Sequence, residues 1–426
     1  MDSVSYLWEQ HQFLLHQCFS LPFAFLFYFL VKRGHLSMTL RYLLVAVGGS
    51  VLAVVTMGLY SSLLFTSAFV FTLLVSCVDP ADIHTCSFII QMCWQTLWHL
   101  RLQLQECYQE PVCFRFFAAL SSLMLLTQRI TSVSMDIQEN QVMSMRSASF
   151  SGGKPPVTLL PLISYLLSFT TLLGGPLCSY GHFVSVMEGV RSPPSPLRVV
   201  LLKLAQVAVL ESVRSCLWYF VNISDVESGV LEGAFLLWSL ALGFRIRYYS
   251  HWKVSECLNN AAGFGFWEDP SGGHSQTWSG LCDGDFWTTE ASSSMSEFSR
   301  RWNLTTALWL RRLVYIRCSH FPLLTTFVFS MWWHGLHLGH CVGFSTWAFS
   351  VKADHCVHRC LLPQLSPTWR KVYTLLGWVN TQMLLTCIVI TVELRDLSGL
   401  RLLYQSYIAL FPLAHIILLF VSLKFI

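Results

Sequence analysis

Charged side chains fall in clusters along this sequence, separated by long intervals without a charge. A membrane-spanning helix needs about 20 apolar residues, and a first interval of about that length runs from Glu9 to Lys32. The interval from Arg41 to Asp79 is nearly double, and Gly58 to Ser62 break it at the middle, which predicts two spans. Ile83 to Leu100 is a weaker candidate because His84, Gln91, Gln95 and His99 dilute it. Phe116 to Thr127 is short and reads as a partly embedded or bundle-interior helix. Val157 to Tyr180 is a strong candidate that Gly174-Gly175-Pro176 breaks or kinks. Val199 to Leu210 and Val230 to Phe244 each hold one ionisable residue, Lys203 and Glu232. Cys318 to Val351, Tyr373 to Thr391 and Leu402 to Ser422 complete the set. The fold class is therefore all-α, a polytopic membrane helical bundle of about 10–11 transmembrane or partly embedded helices, in a single domain of residues 1–426. The one plainly non-membrane stretch, Gly265 to Glu297, is rich in Ser, Gly, Asp and Trp and reads as a surface loop. Its Trp267, Trp278, Phe286 and Trp287 also suit an interfacial segment.

Composition agrees with this pattern. Soluble domains carry about 25% charged residues, whereas this chain has 12%, with 54% hydrophobic, 14% aromatic and a mean hydropathy of +0.53. A net charge of +4 gives little support to nucleic-acid binding through phosphate neutralisation. The 15 cysteines are scattered, many inside apolar runs, and read as small buried hydrophobes rather than a disulfide framework. Cys356 and Cys360, near a membrane face, are weak candidates for palmitoylation. The first apolar stretch follows Asp2 and Glu9 rather than a basic region, so it reads as a span and not a signal peptide. Positive charge marks cytosolic loops. Lys32, Arg33 and Arg41 thus put the first loop in the cytosol and the acidic N-terminus outside or in a lumen. Arg300, Arg301, Arg311, Arg312 and Arg317 read as cytosolic by the same rule. No internal repeat supports an inverted-repeat transporter.

Two segments carry candidate chemistry. Ser299-Arg300-Arg301-Trp302-Asn303 leads into a helix-like stretch, Leu304 to Ile316, and Trp332-Trp333-His334-Gly335-Leu336-His337 follows downstream. His334 lies near the middle of a neutral interval, where an ionisable side chain is costly and marks a functional hypothesis. The competing reading is a histidine hydrogen-bonded into the bundle. Imidazole suits such a place because it can stay uncharged and still accept a proton, and Gly335 beside it lets a backbone or substrate approach closely. His334, His337 and His340 recur at three-residue spacing, but the third is rotated away and no carboxylate lies close in sequence, so no metal site is expected. Asn303-Leu304-Thr305 and Asn222-Ile223-Ser224 are glycosylation sequons. The surrounding arginines place the first of them in the cytosol, where it is coincidental.

The Arg-Arg-Trp-Asn segment paired with Trp-His-Gly-Leu-His resembles the membrane-bound O-acyltransferase family, in which an Asn or Asp and an embedded His form the catalytic pair. The likeness extends through Ser121-Ser122-Leu123-Met124-Leu125-Leu126-Thr127-Gln128-Arg129, Tyr248-Tyr249-Ser250-His251-Trp252 and Ala261-Ala262-Gly263-Phe264-Gly265. It continues in Trp309-Leu310-Arg311-Arg312-Leu313-Val314 and Phe329-Ser330-Met331-Trp332-Trp333-His334. It is strongest to the branch of the family that acylates a peptide hormone. The resemblance implies a bundle around a central tunnel in the endoplasmic reticulum membrane. It implies transfer of a medium-chain acyl group, octanoyl above all, from acyl-CoA to a serine of a secreted peptide hormone precursor. His334 and Asn303 would be catalytic, and acyl-CoA would be a co-substrate with no further cofactor. Arg300, Arg301, Arg311 and Arg312 would meet the CoA phosphates, although a positive-inside flank explains them equally well. Phe327, two helical turns before His334 on the same face, Trp347 and Trp333 would line the acyl-chain pocket, with core packing as the competing account. Leu338 stands where the family has proline after the second His, which puts the local backbone there in doubt. A lysophospholipid acyltransferase of the same family is the nearest alternative. A transporter or receptor, with His334 and Glu232 as relay or ligand groups, is more remote.

Overall fold

The computed structural model describes residues 3–142, 157–189, 193–223, 230–268, 276–395, 397–405 and 407–423. Apart from one two-residue antiparallel ribbon, the regular elements among them are helices. They divide into two compact units, residues 1–207 with 251–282 and residues 208–250 with 283–426.

The first unit begins with α1 (Ser3–Cys18), α2 (Leu21–Lys32) and α3 (Met38–Met57), followed by α4 (Ser62–Cys77), α5 (Ile83–Cys107) and α6 (Phe114–Gln138). It continues with α7 (Leu159–Leu166) and α8 (Tyr180–Glu188), the start of α9 (Leu197–Ile223) and the end of α10 (Val230–Ala262). The ribbon, Trp267–Glu268 with Gln276–Thr277, closes it. The break expected in the long neutral interval is a 3-10 turn at Gly58–Ser61, and Gly58 has φ +58°, a conformation that glycine adopts without penalty.

The polar residues that dilute α5 all lie buried and bond to α4, α6 or one another. His84 Nδ1 lies 3.0 Å from Ser134 Oγ, Ser67 donates to Gln91 at 2.7 Å, and Thr127 donates to Gln95 at 2.7 Å. Gln95 Nε2 lies 3.3 Å from His99 Nε2. Partner α6 is the bundle-interior helix, buried on nearly every face.

The interval from Val157 to Tyr180 departs from expectation. Helix stops at Leu166, and the chain runs on without regular structure to Ser179. Such backbone needs internal partners where water is excluded. Buried Arg129 supplies some, donating to the carbonyls of Leu166 and Thr171 at 2.7 Å each.

The second unit holds the end of α9 and the start of α10, then α11 (Phe286–Glu290), α12 (Met295–Arg301) and α13 (Leu304–Leu310). After these come α14 (Pro322–His334), α15 (Leu338–Leu361), α16 (Pro367–Leu394), α17 (Leu397–Gln405) and α18 (Leu410–Leu423). Proline opens both α14 and α16, where its missing N–H costs no helical bond. A buried ionic network ties α10 to α11 and α16: Arg245 donates to Glu290 at 3.0 and 3.1 Å and to Gln382 at 2.8 Å.

Helices α15 and α16 meet through Gly339 and Gly343, a small-xxx-small pair of the kind that lets helix backbones approach in membranes. A Cβ on Gly339 would lie 2.1 Å from the Thr391 carbonyl, and one on Gly343 would lie 2.6 Å from a Val392 methyl. Gly339→Ala is therefore expected to cost about 1–3 kcal/mol. A lowered melting temperature of the detergent-purified protein measures this, and an unchanged one would count against the close contact.

Of the stretch from Gly265 to Glu297, residues 269–275 lie outside the described residues, and the rest is more structured than a surface loop. It contains α11 and the first turn of α12, and it buries Asp283, Thr289 and Ser292, although Trp287 is 75% exposed. Among the described residues four helices are long and apolar enough to cross a membrane: His11–Lys32, Met38–Cys77, Phe114–Gln138 and Pro367–Leu394. A bent pair, Gly399–Gln405 with Leu410–Ile417, would make a fifth. The 10–11 crossings expected from neutral intervals thus include pieces too short, too polar or too broken to span unaided, such as the 8-residue α7 and the 13-residue α14.

Candidate functional site

Asn303 and His334 both belong to the second unit. The segment leading to Asn303 starts at α12, whose first turn is capped by Ser294, accepting from Glu297 N–H at 3.1 Å. Glu297 reaches back to Ser293 N–H at 2.8 Å, so the turn is satisfied from both directions. Asp354 of α15 accepts from Met295 N–H at 2.5 Å, which pins α12 to a neighbouring helix. Trp302 leaves α12 in extended conformation, and Asn303 then turns left-handed, with φ 47° and ψ 58°. Asparagine is one of the few residues other than glycine that adopts this region readily. Its carbonyl accepts from Ala307 N–H at 2.9 Å as α13 begins, while its half-buried side chain makes no cap bond.

His334 is the last residue of α14. Gly335 follows with φ +113°, a turn that a side chain would strain, and α15 starts three residues later at Leu338. The proline missing at 338 is thus replaced by an ordinary first helical residue after His337. The Gly335 carbonyl is held by His340 Nδ1 at 2.9 Å. The half-buried His334 ring packs between Trp333, at 4.8 Å, and Phe344, on which it stacks at 5.1 Å with an interplanar angle of 27°.

From Phe344 a continuous run of aromatic contacts leads toward Asn303. Phe344 stacks on Trp347 at 6.3 Å, Trp347 meets Phe298 at 6.0 Å, and Phe298 stacks at 5.3 Å on Trp302, the residue before Asn303. Trp347 is fixed by its indole N–H, which donates to Ser299 Oγ at 2.6 Å. Phe327 joins at 5.8 Å from Trp347. Both belong to an apolar cluster with Met295, Val351, Leu384 and Ile388. Trp333 falls elsewhere, packing on Trp309 of α13 at 5.1 Å.

The four arginines differ in their engagement. Arg300 donates to Ser296 Oγ at 2.7 Å, which also lies 2.7 Å from His355 Nε2. Burial first, and the Arg300 charge second, hold the His355 imidazole below its ordinary pKa. Arg301 pairs with Glu297 at 2.9 Å and donates to the Thr288 carbonyl at 2.6 Å. Arg311 is exposed and Arg312 half-buried. Both sit in a π-helical turn, Arg311–Tyr315, that continues α13, a rare conformation often found at functional positions.

Sequence reasoning missed Phe298, Phe344 and Asp283. Phe344 of α15 lies on another helix than His334, so periodicity does not link them. Phe298 sits one turn before Trp302 but shows its reach to Trp347 of α15 only in the fold. Asp283 looks like any polar loop residue, yet it is 1% exposed and receives the first N–H groups of α13.

Comparison with known proteins is consistent along the chain. The sequence profile of the membrane-bound O-acyltransferase family matches residues 83–394. The membrane-bound ghrelin O-acyltransferase of Mus musculus is 41% identical over 96% of this chain and 96% of its own, and that of Rattus norvegicus 39% over 97% of each. Membrane-bound glycerophospholipid O-acyltransferase 2 of Homo sapiens is 26% identical over 98% of this chain and 85% of its own.

Proposed function

Because this chain belongs to the membrane-bound O-acyltransferase family, we propose that it transfers a medium-chain acyl group, octanoyl above all, from acyl-CoA to a serine of a ghrelin-type peptide precursor. The observation that carries the reading is the aromatic run joining the His334 ring to Trp302, directly before Asn303, within one unit. The whole of residues 1–426 acts as one catalytic domain, a multi-pass protein of the endoplasmic reticulum with a lumenal N-terminus. Lys32 and Arg33, at the end of the first apolar helix, support that orientation.

His334 acts as general base. It takes the serine proton as the serine oxygen attacks the thioester carbonyl. The C–O bond forms, the carbonyl oxygen gathers negative charge, and the Asn303 amide donates to that oxygen. Collapse breaks the C–S bond, and the proton held by His334 passes to the departing CoA sulfur. The products are the serine ester and free CoA. No cofactor is needed, since the thioester itself supplies the activated acyl group.

The acyl chain lies against Phe327 and Trp347, which share an apolar cluster with Trp302, the residue before Asn303. Trp333 supports α14 against α13 rather than lining that surface. Arg311 and Arg312 serve the CoA phosphates, supported by their accessible turn, and Arg300 and Arg301 contribute from the end of α12.

Family membership removes the transporter and receptor readings, leaving the acceptor to be decided. Higher identity to the ghrelin-directed relatives than to the glycerophospholipid-directed one favours a peptide. Purified protein given octanoyl-CoA with an equal choice of a ghrelin-type serine peptide and lysophosphatidylcholine is expected to acylate the peptide at least about tenfold faster, a transition-state preference of about 1.4 kcal/mol. Faster acylation of the lysophospholipid would overturn the reading.

A further inference from the structure

Asn303 occupies the N-cap position of α13 and leaves the capping to another residue. Asparagine is a preferred N-cap because its side-chain oxygen takes a backbone N–H of the first turn. Here that bond is absent from Asn303, and Asp283 accepts in its place. The Asp283 carbonyl accepts from Leu304 N–H at 2.8 Å, and its carboxylate accepts from Thr305 N–H at 3.2 Å and from the Thr305 hydroxyl. Those backbone groups are the first donors of the helix, which have no partner inside it. Bonds to a carboxylate are the stronger kind. The carboxylate is almost wholly buried, so these bonds face little competition from solvent.

We propose that Asp283 is a positioning residue for acyl transfer. By capping α13 from outside, it fixes the residues that follow Asn303 and frees the Asn303 amide to meet the reacting carbonyl. The inference rests on the catalytic reading of Asn303 given above. A catalytic group displaced by about 1 Å can lose about 10²-fold in rate, and that is the scale of effect Asp283 controls.

The test measures kcat and KM for octanoyl-CoA and a ghrelin-type peptide, using the full chain purified in detergent. Asp283→Ala is expected to lower kcat by about 10²-fold, with both KM values within about threefold, as for a group that acts only in the transition state. Asp283→Asn retains a carbonyl oxygen able to accept both Thr305 donors, and is expected to restore most of the turnover. Should Asp283→Ala fail to fold, Thr305→Val removes one donor with nearly the same shape and should lower kcat, with Thr305→Ser restoring it. Unchanged kcat in Asp283→Ala, or in Thr305→Val where the first variant does not fold, overturns the proposal. So does an Asp283→Asn variant as inactive as the alanine. Asn303→Ala, assayed alongside, separates the two ideas. Wild-type turnover there overturns the catalytic reading and this inference with it, whereas an inactive Asn303→Ala beside a fully active Asp283→Ala overturns the inference alone.

Discussion

Replacing His334 with alanine is expected to reduce acyl transfer by about 10²–10⁴-fold, the contribution typical of a positioned general base. The serine hydroxyl is a weak nucleophile, and without a base at hand its proton must leave to a poorer acceptor. His334 is well placed for this work because its ring orientation is set on two sides, by Trp333 and by stacking on Phe344. The same packing raises a rival account, in which the ring matters only for its shape. His334→Phe separates the two, since it keeps an aromatic ring against Phe344 and has no nitrogen. Both variants should remain in the membrane at normal levels and both should be inactive with labelled octanoyl-CoA and peptide. An active phenylalanine variant would reduce His334 to a packing residue, and an active alanine variant would remove it from the chemistry altogether.

The second large effect is expected at Asn303, where alanine should lower kcat by about 10²–10³-fold, the usual loss when one donor to a developing oxyanion is removed. The amide can donate to the thioester oxygen before reaction, but the bond strengthens as negative charge collects there. Turnover should therefore suffer more than KM. Steady-state kinetics over a range of octanoyl-CoA concentrations measures the split. A loss confined to KM would make Asn303 a binding group only, and an unchanged kcat/KM would exclude it from the reaction.

Much of the architecture could be read from charge spacing. Lys32, Arg41 and Asp79 mark off helices without any tertiary information, and the glycine at 58 shows where the long interval must break. The dilution of α5 by His84, Gln91, Gln95 and His99 was also visible, but its meaning was not. Only the neighbouring helices reveal that these groups bond inward rather than weaken a span. The failure at Val157 to Tyr180 has the same origin. Apolar residues run through it without a charge, yet Arg129 on another helix satisfies the carbonyls that let the backbone leave the helix.

At the site, His334 stood out because an ionisable group in an apolar setting is conspicuous and Phe327 followed from helical spacing, whereas Asn303 and Trp347 came from the family resemblance. Phe298, Phe344 and Asp283 meet Trp347, His334 and the start of α13 only through the fold, and no pattern along the chain distinguishes them from ordinary core or loop residues. Trp333 shows the converse, since adjacency to His334 says nothing about the direction in which a ring projects.

The left-handed backbone at position 303 also bears on how this enzyme can change over generations. Asparagine, aspartate and glycine enter that conformation most readily, and of these glycine would bring no side chain to the proposed reaction. Inheritance at this position is thereby biased toward a choice between an amide and a carboxylate, which are one nucleotide apart in the genetic code. Geometry alone would slow drift at the site, before any selection on catalysis acts.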